Sequence, residues 1–171
     1  MVYHTLEEIK AKVDELASII DAPSKSLPSY GQMKYDSHPY IALDEQGIKL
    51  YIVSERGREY KREKFTDIDE LLYCVFSTVT FEMACDYELK NRIEDQDFRK
   101  ILFKKQEELL GLLNKDWEES KLFEHNNILE RFVFDDLAGL RATYCGELRA
   151  KGYSETKIME IAYLRYPENS K

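Results

Sequence analysis

The sequence predicts an α+β fold: an N-terminal helix, a three-stranded antiparallel β-meander, and a mostly helical C-terminal two-thirds packed on that sheet. Apolar residues recur every three or four positions near the N-terminus and again after residue 65, which is the helical period. Residues 40–65 alternate instead, and two glycine-containing turns divide them. With 171 residues and 43% hydrophobic content, we expect residues 1–171 to form a single domain with a real core.

The first helix begins with a capping box, because Thr5 is followed three residues later by Glu8. It ends before Pro23, which cannot continue a helix. The following segment, residues 23–39, is a long loop rich in Pro, Ser and Gly. It also carries Tyr30 and Tyr35, which either pin the loop to the core or belong to a functional surface.

Three strands follow the loop. The first begins at Tyr40, the second alternates over residues 48–53, and the third spans residues 58–65. So small a sheet needs a helix on its apolar face. The stretch from residue 56 to residue 64 holds five bases and two acids, which is typical of a charged sheet edge that discourages strand addition.

Residues 65–114 predict two consecutive amphipathic helices around which the fold is organised. Carboxylates interrupt the apolar stripe of the first one, and a buried carboxylate requires a partner. Two interpretations of these charges remain open. Glu82 and Asp86 form a structural ion network with nearby cations, or they hold a metal ion or act as an acid–base pair. We favour the network, with these cations as partners: Lys90, Arg92 and Arg99.

The remaining chain is helical and acidic. Residues 116–136 contain seven acids and two bases, and the only tryptophan, Trp117, stands at their start. A further helix follows Asp135 and Asp136, and a last one begins at Ser154.

Composition excludes several classes of function. The net charge of −8 argues against general nucleic-acid binding. Three cysteines without metal-like spacing indicate neither a disulfide framework nor a zinc site, and the three histidines lie far apart in sequence. We expect no cofactor, no signal peptide and no membrane helix, which makes the cytosol the expected location.

Several patches together resemble the immunity protein 63 family of bacterial polymorphic toxin systems. They are LPSYG (27–31), PYIAL (39–43), SERG (54–57), KFTDIDELLYCVF (64–76) and YELKNRIEDQDFRKILFKKQEELL (87–110). The resemblance covers roughly residues 5–136 and leaves 137–171 as a C-terminal helical extension. It implies a protein that is encoded beside a secreted toxin and neutralises that toxin by binding, and it carries no catalytic residues.

The sequence-based hypothesis is therefore a non-enzymatic protein that binds a cognate toxin in the cytosol of the producing cell. The expected contact surface is acidic with aromatic anchors, since interfaces favour Trp and Tyr. Its candidate residues are Tyr30, Tyr35, Trp117, Glu118, Glu119 and Glu124. The alternatives are a small metal-dependent enzyme that uses Glu82 and Asp86, and a regulatory adaptor for another host protein.

Overall fold

A computed structural model, which describes residues 4–168, has the predicted α+β fold. Within those residues the helices are α1 (Leu6–Ile19), α2 (Ile68–Lys90), α3 (Phe98–Leu113), α4 (Lys115–Arg131), α5 (Ala138–Ala150) and α6 (Glu155–Arg165). The strands are β1 (Ser29–Tyr30), β2 (Tyr40–Leu43), β3 (Lys49–Glu55) and β4 (Arg58–Phe65).

The capping box of α1 is confirmed. The Glu8 amide donates to Thr5 Oγ1 at 3.2 Å, and the Thr5 amide donates to Glu8 Oε2 at 2.8 Å. The helix buries one stripe, formed by Ile9, Val13 and Ala17. Its start and its direction toward the core are therefore fixed locally.

The sheet has the order β1-β2-β3-β4, so the predicted antiparallel meander β2-β3-β4 carries one additional short strand. Strand β1 runs parallel to β2, with Ser29 opposite Tyr40 and Tyr30 opposite Ile41. A two-residue strand leaves no alternation to detect, which is why the sequence predicts only a loop here. Gly31 leaves the strand at φ +79°, a conformation suited to glycine.

Helix α2 is the centre of the core. Its buried residues form two rows with a spacing of four: Leu71, Val75 and Val79, and Leu72, Phe76, Thr80, Ala84 and Glu88. A four-residue step turns a helix by about 400°, so this face drifts by about 40° per step. The drift moves burial away from Glu82 and Asp86, which are exposed, and toward Ala84 and Glu88. The cap of the helix is Asp67, whose side chain accepts hydrogen bonds from the Asp69 and Glu70 amides.

One hydrophobic cluster joins α1, the sheet, α2, α3 and α4. Beneath it, Lys49 is almost completely buried, and its Nζ donates to the Thr66 carbonyl at 2.9 Å. This bond ties β3 to the turn that precedes α2. Among residues 4–168, no helix is both long and apolar enough to span a membrane.

Helices α5 and α6 pack on each other. Their buried residues are Arg141, Leu148, Ile158 and Ala162. Arg141 pairs with Asp135, just ahead of α5, and donates to the Tyr166 carbonyl at 2.7 Å, beyond the end of α6. One arginine thus ties the start of α5 to the end of α6.

Candidate partner-binding groove

An open groove of about 540 Å³ lies between β4, α2 and α4. We call it the β4–α2–α4 groove. Alternate residues of β4 form one wall, the exposed side of the first half of α2 forms the floor, and α4 forms the far wall. Its lining residues are Lys61, Glu63, Phe65, Glu70, Tyr73, Cys74, Ser77, Thr78, Lys121 and Glu124.

Glu124, a residue that the sequence suggested for partner contact, is held at the far wall. Its carboxylate accepts the Tyr73 hydroxyl at 2.7 Å and Lys121 Nζ at 2.5 Å. Lys121 Nζ also lies 5.4 Å from the centre of the Tyr73 ring, a cation–π distance. Burial raises the pKa of Glu124, but the hydrogen bonds from Lys121 and Tyr73 outweigh it and keep the pKa below its usual value. The groove therefore presents an oriented, ionised carboxylate at neutral pH.

Cys74 lies on the floor of the groove between two charges of β4. Its thiol donates to Glu63 Oε2 at 3.2 Å, and Lys61 Nζ lies 3.8 Å from its sulfur. Burial, together with the bond to Glu63, raises the pKa of Cys74 to about 12. A thiol with that pKa is almost entirely protonated at neutral pH, so Cys74 is no nucleophile. The groove lining is polar and carries both positive and negative side chains, which suits a recognition surface.

Trp117 is an internal anchor and not an exposed one. Only 4% of its surface is accessible, its ring stacks on Phe76, and its indole donates to Asp69 Oδ2 at 3.0 Å. It fixes the start of α4 to the start of α2. A ring so deeply buried is not available for contact with a partner.

The other predicted contact residues do not form one surface. Glu118 pairs with Lys115 on α4, and Glu119 is exposed on the same helix, outside the groove lining. Tyr30 sits on β1, at the opposite edge of the sheet from β4, and packs against the core. Tyr35 is half-exposed in the loop after β1, and its ring contacts His38. Of the six predicted residues, the structure places Glu124 alone in the groove lining.

The predicted ion network requires correction. Glu82, Asp86 and Lys90 are exposed, and none of them takes part in an ion pair within residues 4–168. Their position follows from the drift of the buried face of α2. The buried carboxylate of α2 is Glu88, which accepts two hydrogen bonds from Arg92 at 2.8 and 2.7 Å.

The other predicted cation, Arg99, belongs to a cluster that sequence reasoning missed. Its guanidinium donates to both oxygens of Asp97, which is buried, and to the carbonyls of Phe132 and Val133. Asp97 also accepts the Asp135 amide at 2.8 Å. Asp97 therefore caps α3 and at the same time holds the segment that leads into α5. The helix-start pattern at residue 97 was the one signal for it in the sequence.

His125 joins α3 to α4 beside the groove. Its Nδ1 lies 2.6 Å from Glu107 Oε1, its Nε2 lies 3.2 Å from Gln106 Oε1, and its ring stacks on Phe103. Burial lowers the pKa of His125 against the opposing effect of Glu107. Both ring nitrogens are thus occupied by helix–helix contacts. In the described part of the chain, no three His, Cys, Asp or Glu side chains come together as a possible metal site.

Comparison with known proteins agrees with the resemblance carried by the sequence patches. The family model of immunity protein 63 matches residues 46–127. No curated protein and no solved structure matches the chain. The matched segment runs from the turn before β3 into α4 and includes every lining residue of the β4–α2–α4 groove. Through residues 46–127, the chain is similar to the immunity protein 63 family.

Proposed function

We propose that this protein neutralises a cognate polymorphic toxin by binding it in the cytosol of the producing cell, and that the β4–α2–α4 groove belongs to the contact surface. The observation that carries the proposal is the position of the groove. All of its lining residues fall within the segment that matches an immunity protein family. Similarity to that family favours a binding role over a catalytic one.

The chemistry of the groove supports recognition of a protein surface. Tyr73 and Phe65 supply apolar contact area, while Glu70 and Glu124 supply carboxylates for cationic or hydrogen-bonding groups of a partner. Glu124 is held in place by two hydrogen bonds, so a partner meets an ordered acceptor. Such preorganisation lowers the entropic cost of association.

The net charge adds a long-range contribution. A chain of net charge −8 attracts a cationic partner and accelerates their encounter. Toxins that attack nucleic acids need cationic surfaces for their substrates, so they are suited to an acidic inhibitor.

Co-expression tests the proposal. The chain is produced together with the product of the adjacent gene, and growth and co-purification are measured. Rescue of growth together with a co-purifying complex supports an immunity role. If the two products neither form a complex nor alter growth, the immunity role is refuted, and an adaptor for another host protein becomes the better hypothesis.

A matched pair of variants tests the groove. Glu70 lines it, whereas Glu119 lies on α4 outside the lining, and both are exposed. We expect Glu70→Arg to weaken the complex and Glu119→Arg to leave it nearly unchanged. The reverse result would assign contact to the outer face of α4.

A further inference from the structure

Strand β4 has one neighbouring strand among the described residues, β3, and it forms an edge of the sheet. None of its eight residues is buried, and Tyr60 leaves 70% of its surface accessible. In an antiparallel pair, about half of the backbone N–H and C=O groups of a strand point away from its partner. The outer edge of β4 therefore offers unpaired hydrogen-bonding groups to another chain.

The charges of this edge favour one kind of added strand over another. Strand β4 carries four cations and two acids. Its ion pairs join Arg62 to Glu59 and Lys61 to Glu63, and they leave Arg58 and Lys64 without an ion pair among residues 4–168. A second copy of β4 would bring cations against cations, which opposes self-association. An acidic strand would meet complementary charge on the same edge.

The edge and the groove are continuous. Lys61, Glu63 and Phe65 are alternate residues of β4, and all three line the groove. A strand added beside β4 lies about 4.8 Å from it, and its own alternate side chains point to the same face. Those side chains would enter the space between β4 and the α4 wall, where Lys121 and Glu124 stand.

We propose that the protein captures an extended, acidic segment of its partner as a fifth strand on the outer edge of β4. The acidic side chains of that segment lie on the strand face of Lys64, and its alternate, uncharged side chains are seated in the β4–α2–α4 groove, which holds carboxylates of its own. This inference rests on the proposed function, since the partner is the toxin. Backbone hydrogen bonds to β4 supply affinity, and the groove supplies specificity, as in other cases of strand addition.

Amide hydrogen exchange tests the added strand. The probe is the purified product of the adjacent gene, mixed with the full-length chain. We expect exchange within residues 58–65 to slow at least about tenfold in the complex, because amides facing solvent acquire partners. A complex that leaves exchange in β4 unchanged would overturn the inference and leave the immunity role intact. Absence of any complex would refute both.

Charge reversal provides an independent test. Lys64→Glu on β4 is compared with Lys104→Glu, an exposed lysine of α3 outside the groove lining. We expect the former to weaken binding about tenfold at low salt and the latter to change it less than about twofold. Circular dichroism verifies that both variants are folded. Equal effects of the two variants would show that the overall charge, and not the β4 edge, governs binding. A dimer of the isolated chain that pairs through β4 would also contradict the proposal.

Discussion

Replacing Asp97 with alanine is the most informative perturbation of the fold. The side chain is 3% exposed, and its oxygens accept the Arg99 guanidinium, the Arg99 amide and the Asp135 amide. Alanine would leave an arginine that is 19% exposed without its carboxylate, and two amides without their acceptor. Loss of one partner of a buried ion pair costs about 3–5 kcal/mol. We therefore expect the free energy of unfolding to fall by about 4 kcal/mol.

Urea denaturation followed by circular dichroism measures this change. Asp95→Ala serves as the control, because Asp95 is exposed and lies two residues away. Asp97→Asn keeps an oxygen acceptor that can still cap α3 but removes the charge, so we expect an intermediate loss of about 1–3 kcal/mol. A loss below about 1 kcal/mol for Asp97→Ala would refute the role assigned to this carboxylate.

The interactions of Asp97 also make the stability of the protein depend on pH in the acid range. Burial raises the pKa of Asp97, but hydrogen bonds from Arg99 and from the Asp135 amide outweigh it and lower the pKa below its ordinary value. The stabilisation is therefore complete above the unfolded-state pKa of about 3.9, and it is lost as the pH falls through the lower pKa of the folded state. Between pH 5 and the acid limit, the wild-type chain should lose more stability than Asp97→Ala. Parallel acid curves for the two proteins would contradict this linkage.

Three further predictions follow from single side chains. Asp86→Ala should leave the urea midpoint unchanged, because Asp86 is exposed. Glu88→Ala should lower the midpoint, because Glu88 is buried and paired with Arg92. The opposite order of effects would support the ion network that the sequence suggested. Tyr30→Phe should stabilise the protein by about 1 kcal/mol, because the buried Tyr30 hydroxyl has no hydrogen-bond partner among residues 4–168, and a clear loss of stability would reveal a partner for it. Cys74 should resist a thiol reagent at neutral pH until the protein unfolds, since its pKa is about 12, and rapid labelling of the native protein at Cys74 would exclude that environment.

The structural elements that are determined by residues close together in the sequence could be predicted. The capping box of Thr5 and Glu8, the turns at Gly47 and Gly57, and the start of α6 at Ser154 are all local patterns, and the structure contains each of them. The helical periodicity after residue 65 likewise predicts α2 and α3.

The features that could not be predicted depend on residues far apart in the chain or on small changes of direction along a helix. Asp97 acts through Asp135, which lies 38 positions further along the chain, and no local pattern joins them. The choice between Asp86 and Glu88 as the buried carboxylate depends on a buried direction that turns along α2 by about 40° per four residues, and a helical wheel with one fixed buried side does not include that turn. Of the candidate contact residues, Glu124 could be recognised as chemically suitable, but its place in the groove depends on Tyr73, which lies on another helix.

The single tryptophan is placed so that its fluorescence can report on the β4–α2–α4 groove. The Trp117 ring lies 6.1 Å from that of Tyr73, while the Tyr73 hydroxyl reaches Glu124 in the groove. A ligand that displaces Tyr73 changes the surroundings of the indole without touching it. Emission from one fluorophore can therefore follow occupation of the groove in the unlabelled protein, and the Tyr73→Phe variant distinguishes that signal from a global change in folding.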